Sequence, residues 1–505
     1  MQDAATIVTS TTAWLWGPEK PEGSVLSPSD TFRLLDTAAV AQGTAMQIAN
    51  ALLLFALYMQ QLPVNFDAHF LESQNVEKTI QLTIERVKMF ILPLEDEACS
   101  LEGIESLTLL SLLHLNDGAI RKAWITFRRT LDVSRLNGLQ DSFSSSKRNT
   151  MSAEAALRRR LWLSTVCGDC YCSLLLGLEP GIGANPFGPD DPLWNDPLAD
   201  DEANVQRRIC LIAIRVATRN ASGLSEDENA LREVEEGLNQ LHDSVAPAWW
   251  RSPLFGQAQS SDSAQEPNRL ICQFWFFQLR IFAHLPIAFG KPRNGSSCSL
   301  RSCIETSRTT LHRYLGLQHA KAHFSRCRAV DQSVFLAAVV LLLSTVQTPD
   351  QHLLRTPSRY DSDRALIEQV NDNFDAIGTA CRREIVAKDI TRILSIMLDI
   401  TAVGSWDAYS TGRDVPGGCS SSNTIPGESK VPTKGASRII RSGMGEIIAC
   451  SVQPMLDRQS PASRLIQRMF GADEAATDEP SCNREECQEK SESTLEDLAD
   501  PIMLQ

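Results

Sequence analysis

Apolar residues recur at three- and four-residue spacings over nearly all of the chain from residue 30 to residue 399. This spacing places them along one face of an α-helix, whose period is 3.6 residues. The alternating pattern of half-buried strands between turn dipeptides is largely missing. The sequence therefore predicts an all-α fold, with a large and irregular multi-helix domain. The predicted helices span 30–61, 74–89, 101–113, 117–137, 152–177, 204–220, 226–245, 266–289, 300–315, 322–345, 364–386 and 390–399.

Three stretches rich in Pro, Gly or Ser interrupt this pattern, at 179–197, 249–267 and 405–437. Such clusters are typical of loops and linkers, and the last is the strongest. We therefore predict five segments along the chain. They are a disordered N-terminal segment (1–29), a helical domain (30–404), a flexible linker (405–445), a short helical segment (446–470) and an acidic disordered tail (471–505).

The negative charge of the chain is concentrated in its tail. The formal net charge is −14, and residues 471–505 hold eleven acidic residues against Arg484 and Lys490. Acidic segments with interspersed apolar residues resemble disordered activation segments, which insert those residues into a partner's groove. A plain solubilising tail is the alternative. The apolar residues in question are Leu495, Leu498, Ile502, Met503 and Leu504.

No catalytic or metal-binding signature stands out. The sequence lacks a GxSxG elbow, an HExxH pair, a Walker loop and a GxGxxG turn after a strand, so we predict that it is not an enzyme. The only Cys-x-x-Cys, Cys167 to Cys170 with Cys172 nearby, lies in an apolar helix, which favours buried thiols. His319 and His323 are four residues apart, but two imidazoles alone are a weak metal signal. We expect no cofactor in this chain.

The chain also gives no clear membrane or nucleic-acid signal. Its first residues lack the basic and apolar regions of a secretory signal, and glutamines interrupt the uncharged stretch at 37–66. The run at 334–343 is too short to span a bilayer. Five consecutive basic residues occur nowhere, and phosphate contacts need clustered Lys and Arg. We predict a protein without a membrane span, in a reducing compartment.

Residues 101–183 carry a series of motifs in a defined order. An Ala-Trp pair is followed by a Gly-Leu pair, an Arg-rich helix with a Trp, an Asp, and a Ser-x-x-x-Gly end. The residues are Ala123, Trp124, Gly138, Leu139, Arg158, Arg159, Arg160, Trp162, Asp169, Ser173 and Gly177. Their order, spacing and helical setting resemble the fungal-specific transcription factor domain, the middle homology region of zinc-cluster regulators. The resemblance extends over about residues 30–400.

Some positions depart from that family. Cys170 and Leu163 stand where the family commonly has Arg and a second Trp, and Gly177 is followed by Leu178 instead of Arg. The family implies a scaffold role for the Arg-rich helix, without DNA contact. Its three arginines occupy consecutive helix positions and cannot all face one way, so we expect one or two to pair with neighbouring carboxylates such as Asp169 or Asp132. Trp162 would supply a large apolar wedge.

The resemblance implies a nuclear regulator of RNA polymerase II genes in a fungus, with a secondary-metabolite gene cluster as the hypothesis for its target. It implies transcription machinery or coactivators as partners, dimers with itself or with zinc-cluster regulators, and a small-molecule effector. The family's six-cysteine zinc cluster has no counterpart here, because the first cysteine is Cys99. We therefore expect zinc and DNA contact only through a missing N-terminal module or a partner. The alternative is a truncated or repurposed scaffold that modulates a full-length relative by protein–protein contact.

Overall fold

The computed structural model of the chain is helical throughout the residues that it describes. These are 40–62, 76–91, 95–143, 152–183, 185–188, 201–223, 226–251, 266–291, 295–319, 328–346, 357–380 and 384–402, with residues 448 and 452. No strand occurs in these ranges, and the predicted all-α fold is confirmed. The predicted N-terminal segment, linker and acidic tail lie outside the described residues, as does nearly all of 446–470. The five predicted segments stay predictions.

The described residues form a series of α-helices. They are α1 (Ala45–Gln60), α2 (Val76–Ile91), α3 (Glu95–Ala98), α4 (Leu101–Asn116), α5 (Ile120–Leu136), α6 (Ala153–Leu176), α7 (Asp201–Ala221), α8 (Glu228–Ser244), α9 (Glu266–Phe289), α10 (Ser296–His319), α11 (Arg328–Val346), α12 (Pro357–Ala380) and α13 (Ile385–Ala402). A short 3₁₀ helix, Leu139–Phe143, lies between α5 and α6.

The core is built around helices that are buried on nearly all sides. Helix α4 contacts α1, α5, α6 and α11, while α9 contacts α7, α8, α10 and α11. A helix that is apolar all round is typical of a protein core or a membrane span. Within α9, Arg269–Phe289 is the one helix of the described residues that is long and apolar enough to cross a bilayer. It is 83% buried against its neighbours, as core helices are.

The ends of α6 show how local sequence fixes a helix. Ser152 is its N-cap, and the Ser152 Oγ accepts a hydrogen bond from the Ala155 N–H at 3.1 Å. At the other end Gly177 adopts the left-handed region, with φ 64° and ψ 29°. The Leu178 N–H then donates to the Ser173 carbonyl at 2.9 Å, which satisfies a carbonyl of the last turn. The predicted helix at 152–177 is confirmed to within one residue.

Two other predicted boundaries are wrong. Asp117 was expected to begin α5, but it ends α4, because its N–H donates to the Leu113 carbonyl and Gly118 turns the chain with φ 72°. The predicted helices at 364–386 and 390–399 are divided elsewhere, since α12 ends at Ala380 and α13 begins at Ile385. The apolar spacing continues across this break, and Gly378 lies two residues before the end of α12.

The left-handed cap of α6 allows a direct test. We expect Gly177→Ala to lower the free energy of unfolding by about 1 kcal/mol or more, because a Cβ strains the left-handed conformation. Gly316 lies exposed inside α10, where an added Cβ meets nothing within 4 Å. Gly316→Ala is therefore expected to raise the free energy of unfolding by about 0.5–1 kcal/mol. Urea unfolding of both variants measures this, and shifts of the same sign would contradict the placement of Gly177.

Candidate functional site

Three motif residues meet where α5 packs against α6. The Trp124 indole N–H donates to the Ser173 hydroxyl at 3.0 Å. The Arg128 guanidinium bonds the Asp169 carboxylate and donates to the same Ser173 hydroxyl at 3.2 Å. Arg128 also lies over the Trp124 ring, 4.7 Å from its centre. We call Trp124, Arg128, Asp169 and Ser173 the Arg128–Asp169 cluster.

This cluster holds the loop that follows α6. The Gly181 N–H donates to the second oxygen of Asp169 at 2.7 Å, and Arg128 donates to the Glu179 carbonyl. Arg135 donates to the Gly181 carbonyl from two turns further along α5. Asp169 is fully buried, and burial raises its pKa, while the Gly181 N–H and Arg128 oppose that shift. The carboxylate thus joins α5, α6 and the loop at one point.

Two arginines of the Arg-rich helix pair with carboxylates, as expected, but the carboxylates named as examples are wrong. Arg158 pairs with Glu154 at 3.0 Å, and Arg160 pairs with Glu105 at 3.3 Å. The two carboxylates that were expected to serve Arg158, Arg159 and Arg160 are bound elsewhere. Asp169 bonds Arg128, and Asp132 bonds Arg135 at 3.3 Å. Arg128 was missed, although it follows Trp124 by four residues and therefore lies on the same face of α5.

The remaining motif residues lie in the packed core around the cluster. Trp162 is 1% exposed, and its indole N–H donates to the Pro186 carbonyl at 2.8 Å. Ala123 and Leu139 are fully buried, and Gly138 turns the chain after α5 with φ 65°. The apolar residues of the acidic tail lie outside the described residues; they are Leu495, Leu498, Ile502, Met503 and Leu504.

The thiols and imidazoles have structural surroundings. Cys167, Cys170 and Cys172 are free and buried, as predicted, and burial raises the pKa of each thiol. Within the described ranges, no three His, Cys, Asp or Glu side chains are grouped so as to hold a metal ion. His323 lies outside those ranges, so the suggested pairing with His319 has no structural description.

A cavity of about 90 Å³ lies beside the α5–α6 contact. Side chains of α4, α5, α6, α7, α9 and α11 line it, and most of the lining is apolar. Phe127 and Gly168 form one wall, where a Cβ on Gly168 would lie 2.3 Å from the Phe127 ring. Only a glycine therefore lets the Phe127 ring approach α6 this closely.

Another part of the lining is amphipathic. Tyr171 and Trp275 pack edge to face, with ring centres 5.8 Å apart. The Gln278 carbonyl oxygen lies 3.1 Å from the Ser333 hydroxyl, and both residues line the cavity. The Trp275 indole N–H and the Gln278 amide nitrogen have no hydrogen-bond partner. No Asp, Glu, Lys, Arg or His is among the lining residues.

Comparison with known proteins identifies a family that the first helices resemble. Residues 41–192, which contain α1 to α6 with the Arg128–Asp169 cluster, match the family model of the fungal specific transcription factor domain. The chain carries a fungal specific transcription factor domain. The resemblance that the motif series indicated is thereby confirmed.

Several curated fungal proteins are similar to more than this domain. The transcription factor sdnS of Sordaria araneosa is 27% identical over 364 residues, which are 70% of this chain and 46% of sdnS. A dehydrocurvularin biosynthesis regulator of Alternaria cinerariae is 26% identical over 65% of this chain and 44% of its own length. The transcription factor eupR of a Phoma species is 32% identical over 37% of this chain and 41% of its own length. The chain spans less than half the length of each of these relatives.

The cavity lies at the edge of the fungal specific transcription factor domain. Phe127, Gly168 and Tyr171 belong to the matched residues, whereas Trp275, Gln278 and Ser333 come from α9 and α11 beyond them. The domain and the later helices therefore share this cavity as a common boundary. A hydrogen bond also joins the two parts across this boundary, because the Tyr171 hydroxyl donates to the Gln332 side-chain oxygen of α11 at 2.8 Å.

The Arg128–Asp169 pair yields a prediction with a pH dependence. We expect Arg128→Met to lower the free energy of unfolding by about 3–5 kcal/mol, because Asp169 would remain as a buried charge without its cation. Arg128 lowers the pKa of Asp169, so its removal raises that pKa further. A carboxyl whose folded pKa is raised stabilises the fold at low pH and loses that contribution as the pH rises through the folded pKa. The deficit should therefore be smaller near pH 4.5 than at pH 7.5.

Urea unfolding at the two pH values measures this deficit. Adding Asp169→Asn to Arg128→Met removes the titrating group, so the double variant should recover stability at pH 7.5 and show a pH-independent deficit. Arg392→Met is the control, because Arg392 is 47% exposed where it pairs with Asp389, and its loss should cost less than about 1 kcal/mol. A deficit of Arg128→Met that equals the control would contradict the role given to the pair.

Proposed function

We propose that the protein is a fungal transcriptional regulator that acts on RNA polymerase II genes through its helical regulatory domain. The observation that carries this proposal is the match of residues 41–192 to the fungal specific transcription factor domain. The relatives support it, because their similarity covers more than twice the length of that match and they are transcription factors or regulators. That breadth favours one regulatory unit that includes the helices after α6.

A secondary-metabolite gene cluster is the proposed target. Two relatives, from Alternaria cinerariae and Aspergillus terreus, are dehydrocurvularin biosynthesis regulators, and each is 26% identical to this chain. At 26% identity, the relatives support biosynthetic genes as the class of target genes, but they do not indicate which metabolite those genes produce. Action on such genes places the proposed site of function in the nucleus.

The partners follow from the chemistry of the chain. DNA contact would come from a zinc-cluster module outside these residues or from a dimer partner of the zinc-cluster class, and any zinc would belong to that module. The acidic tail at 471–505 would contact coactivators or the transcription machinery through its interspersed leucines. The regulatory role involves binding and no catalysis, in keeping with the class of the relatives.

A reporter experiment tests the regulatory role. The full chain is fused to a heterologous DNA-binding domain and expressed in a filamentous fungus with a reporter gene behind the matching operator. We expect the fusion to change reporter transcription relative to the DNA-binding domain alone, and we expect removal of 471–505 to abolish an increase.

Two outcomes would count against this proposal. A fusion that is nuclear and bound to the operator but leaves transcription unchanged would overturn a direct regulatory role. If the unfused chain then reduced the activity of a co-expressed full-length relative, the scaffold alternative would be favoured. Chromatin immunoprecipitation of the fusion confirms operator occupancy in both cases.

A further inference from the structure

Positive charge gathers where the end of α2 meets the start of α5. The Gln81 amide of α2 donates to the Asp117 carboxylate, at the turn between α4 and α5, at 3.2 Å. Lys88 lies two turns further along α2, and Lys122 lies in the first turn of α5. Burial lowers the pKa of Lys88, and the nearby Lys122 lowers it further, while Glu85 opposes both effects. Neither lysine forms an ion pair within the described residues, so two ammonium groups lie close together with no carboxylate bound to either.

The beginning of α5 adds to this positive charge. Its N-cap residue, Ala119, makes no side-chain hydrogen bond to the first turn, and that turn holds no acidic residue. Helices α4, α6 and α8, by contrast, each have a capping side chain and an acidic residue there. A helix N-terminus carries roughly half a positive charge, which favours nearby anions and disfavours the Lys122 ammonium. The start of α5 therefore lacks the negative charge that α4, α6 and α8 have.

A buried imidazole lies close to both lysines. His114, near the end of α4, is 5% exposed. Burial, Lys88 and Lys122 together lower its pKa to about 3, so the ring is neutral and keeps one N–H donor. The ring has no hydrogen-bond partner among the described residues, although buried polar groups ordinarily have one. An anion with oxygen acceptors would suit the imidazole N–H and both ammonium groups.

Exposed apolar side chains accompany the two lysines. Met89 follows Lys88 and is 67% exposed, and Ile125 lies one turn after Lys122 and is 62% exposed. A basic surface with exposed apolar side chains is complementary to a partner in which acidic and apolar residues are interspersed. We call Lys88, Met89, His114, Lys122 and Ile125 the α2–α5 surface.

The acidic tail of this chain has that composition. Residues 471–505 hold eleven acidic and two basic residues, with leucines, an isoleucine and a methionine among the last acids. The 68 residues between the end of α13 and the tail can extend to roughly 220 Å. That length allows the tail to reach any surface of the helical domain.

We propose that the acidic tail at 471–505 binds to the α2–α5 surface of the same chain. Its carboxylates would lie against Lys88, Lys122 and the start of α5, and its apolar residues against Met89 and Ile125. This contact goes beyond the proposed function, because a coactivator would have to compete with the α2–α5 surface for the apolar residues of the tail.

Photo-crosslinking in the full chain locates the contact. The photoreactive residue p-benzoylphenylalanine is incorporated in place of Ile125 and, as a control, in place of Ile385, which is 57% exposed on α13. We expect mass spectrometry to find crosslinks from position 125 to peptides of 471–505, and none to them from position 385. Equal tail crosslinks from both positions, or none from position 125, would overturn the proposal.

Isotope mixing separates a contact within one chain from a contact between chains. The labelled protein is irradiated in a mixture of ¹⁴N and ¹⁵N chains, and crosslinked peptides of a single isotope are expected. Crosslinks of mixed isotope in the statistical proportion would show binding to a second copy and would contradict the proposed contact.

Charge reversal tests the lysines. With the crosslinker at position 125, Lys88→Glu with Lys122→Glu should lower the yield of tail crosslinks by at least about fivefold, because surface ion pairs are replaced by repulsion. Arg232→Glu with Lys291→Glu is the matched control, since it makes the same change of charge at exposed positions of α8 and just after α9. Equal yields in the two double variants, both with native circular dichroism, would contradict the role of the lysines.

Replacement of tail leucines tests the apolar contacts. Leu495→Ser with Leu498→Ser keeps every charge of the tail, and we expect it to lower the same yield. An unchanged yield would contradict the contacts assigned to Met89 and Ile125. These measurements use the purified full chain and no reporter, so failure of the tail contact and failure of the regulatory function are distinguished.

Discussion

The buried carboxylate of Asp169 is the interaction on which the described fold around α5 and α6 depends. It is fully buried and accepts hydrogen bonds from Arg128 of α5 and from the Gly181 N–H of the loop after α6. Burying a charge costs several kcal/mol, roughly, unless its partners are placed accurately. The angle of α5 against α6 and the path of the loop are therefore set together by this one group.

The same helix contact also shapes the cavity. Phe127 precedes Arg128 on α5, and Gly168 precedes Asp169 on α6. On each helix, therefore, one residue forms the ion pair and the residue before it lines the cavity. A shift that weakens the pair would also move the Phe127 ring, which has no spare space against Gly168. The charged contact and the cavity are thus two faces of a single packing arrangement, and neither can be rearranged alone.

Local signals account for what the sequence could predict. Ser152 and Gly177 mark the ends of α6, because an N-cap and a left-handed C-cap depend only on nearby residues. The break between α12 and α13 was missed because the apolar spacing continues through Ile377 and Val386, although Gly378 lies two residues before the end of α12. Arg128 was missed for another reason: its partner Asp169 is 41 residues away, and no local pattern specifies that pairing. The cavity is lined by residues from six helices, so the spacing of apolar residues along the sequence could not predict it.

The position of the cavity bears on how a regulator of this architecture could respond to a ligand. A ligand shifts a conformational equilibrium only by the difference in its affinity for the two states. Trp275 and Gln278 belong to α9, whereas Gly168 and Tyr171 belong to α6, so a bound molecule gains its contacts only when the two helices keep this spacing. The Tyr171–Gln332 hydrogen bond holds α6 against α11, which lines the same cavity, without a ligand. The boundary between the domain and the later helices is thus held by a buried hydrogen bond and by packing around one cavity.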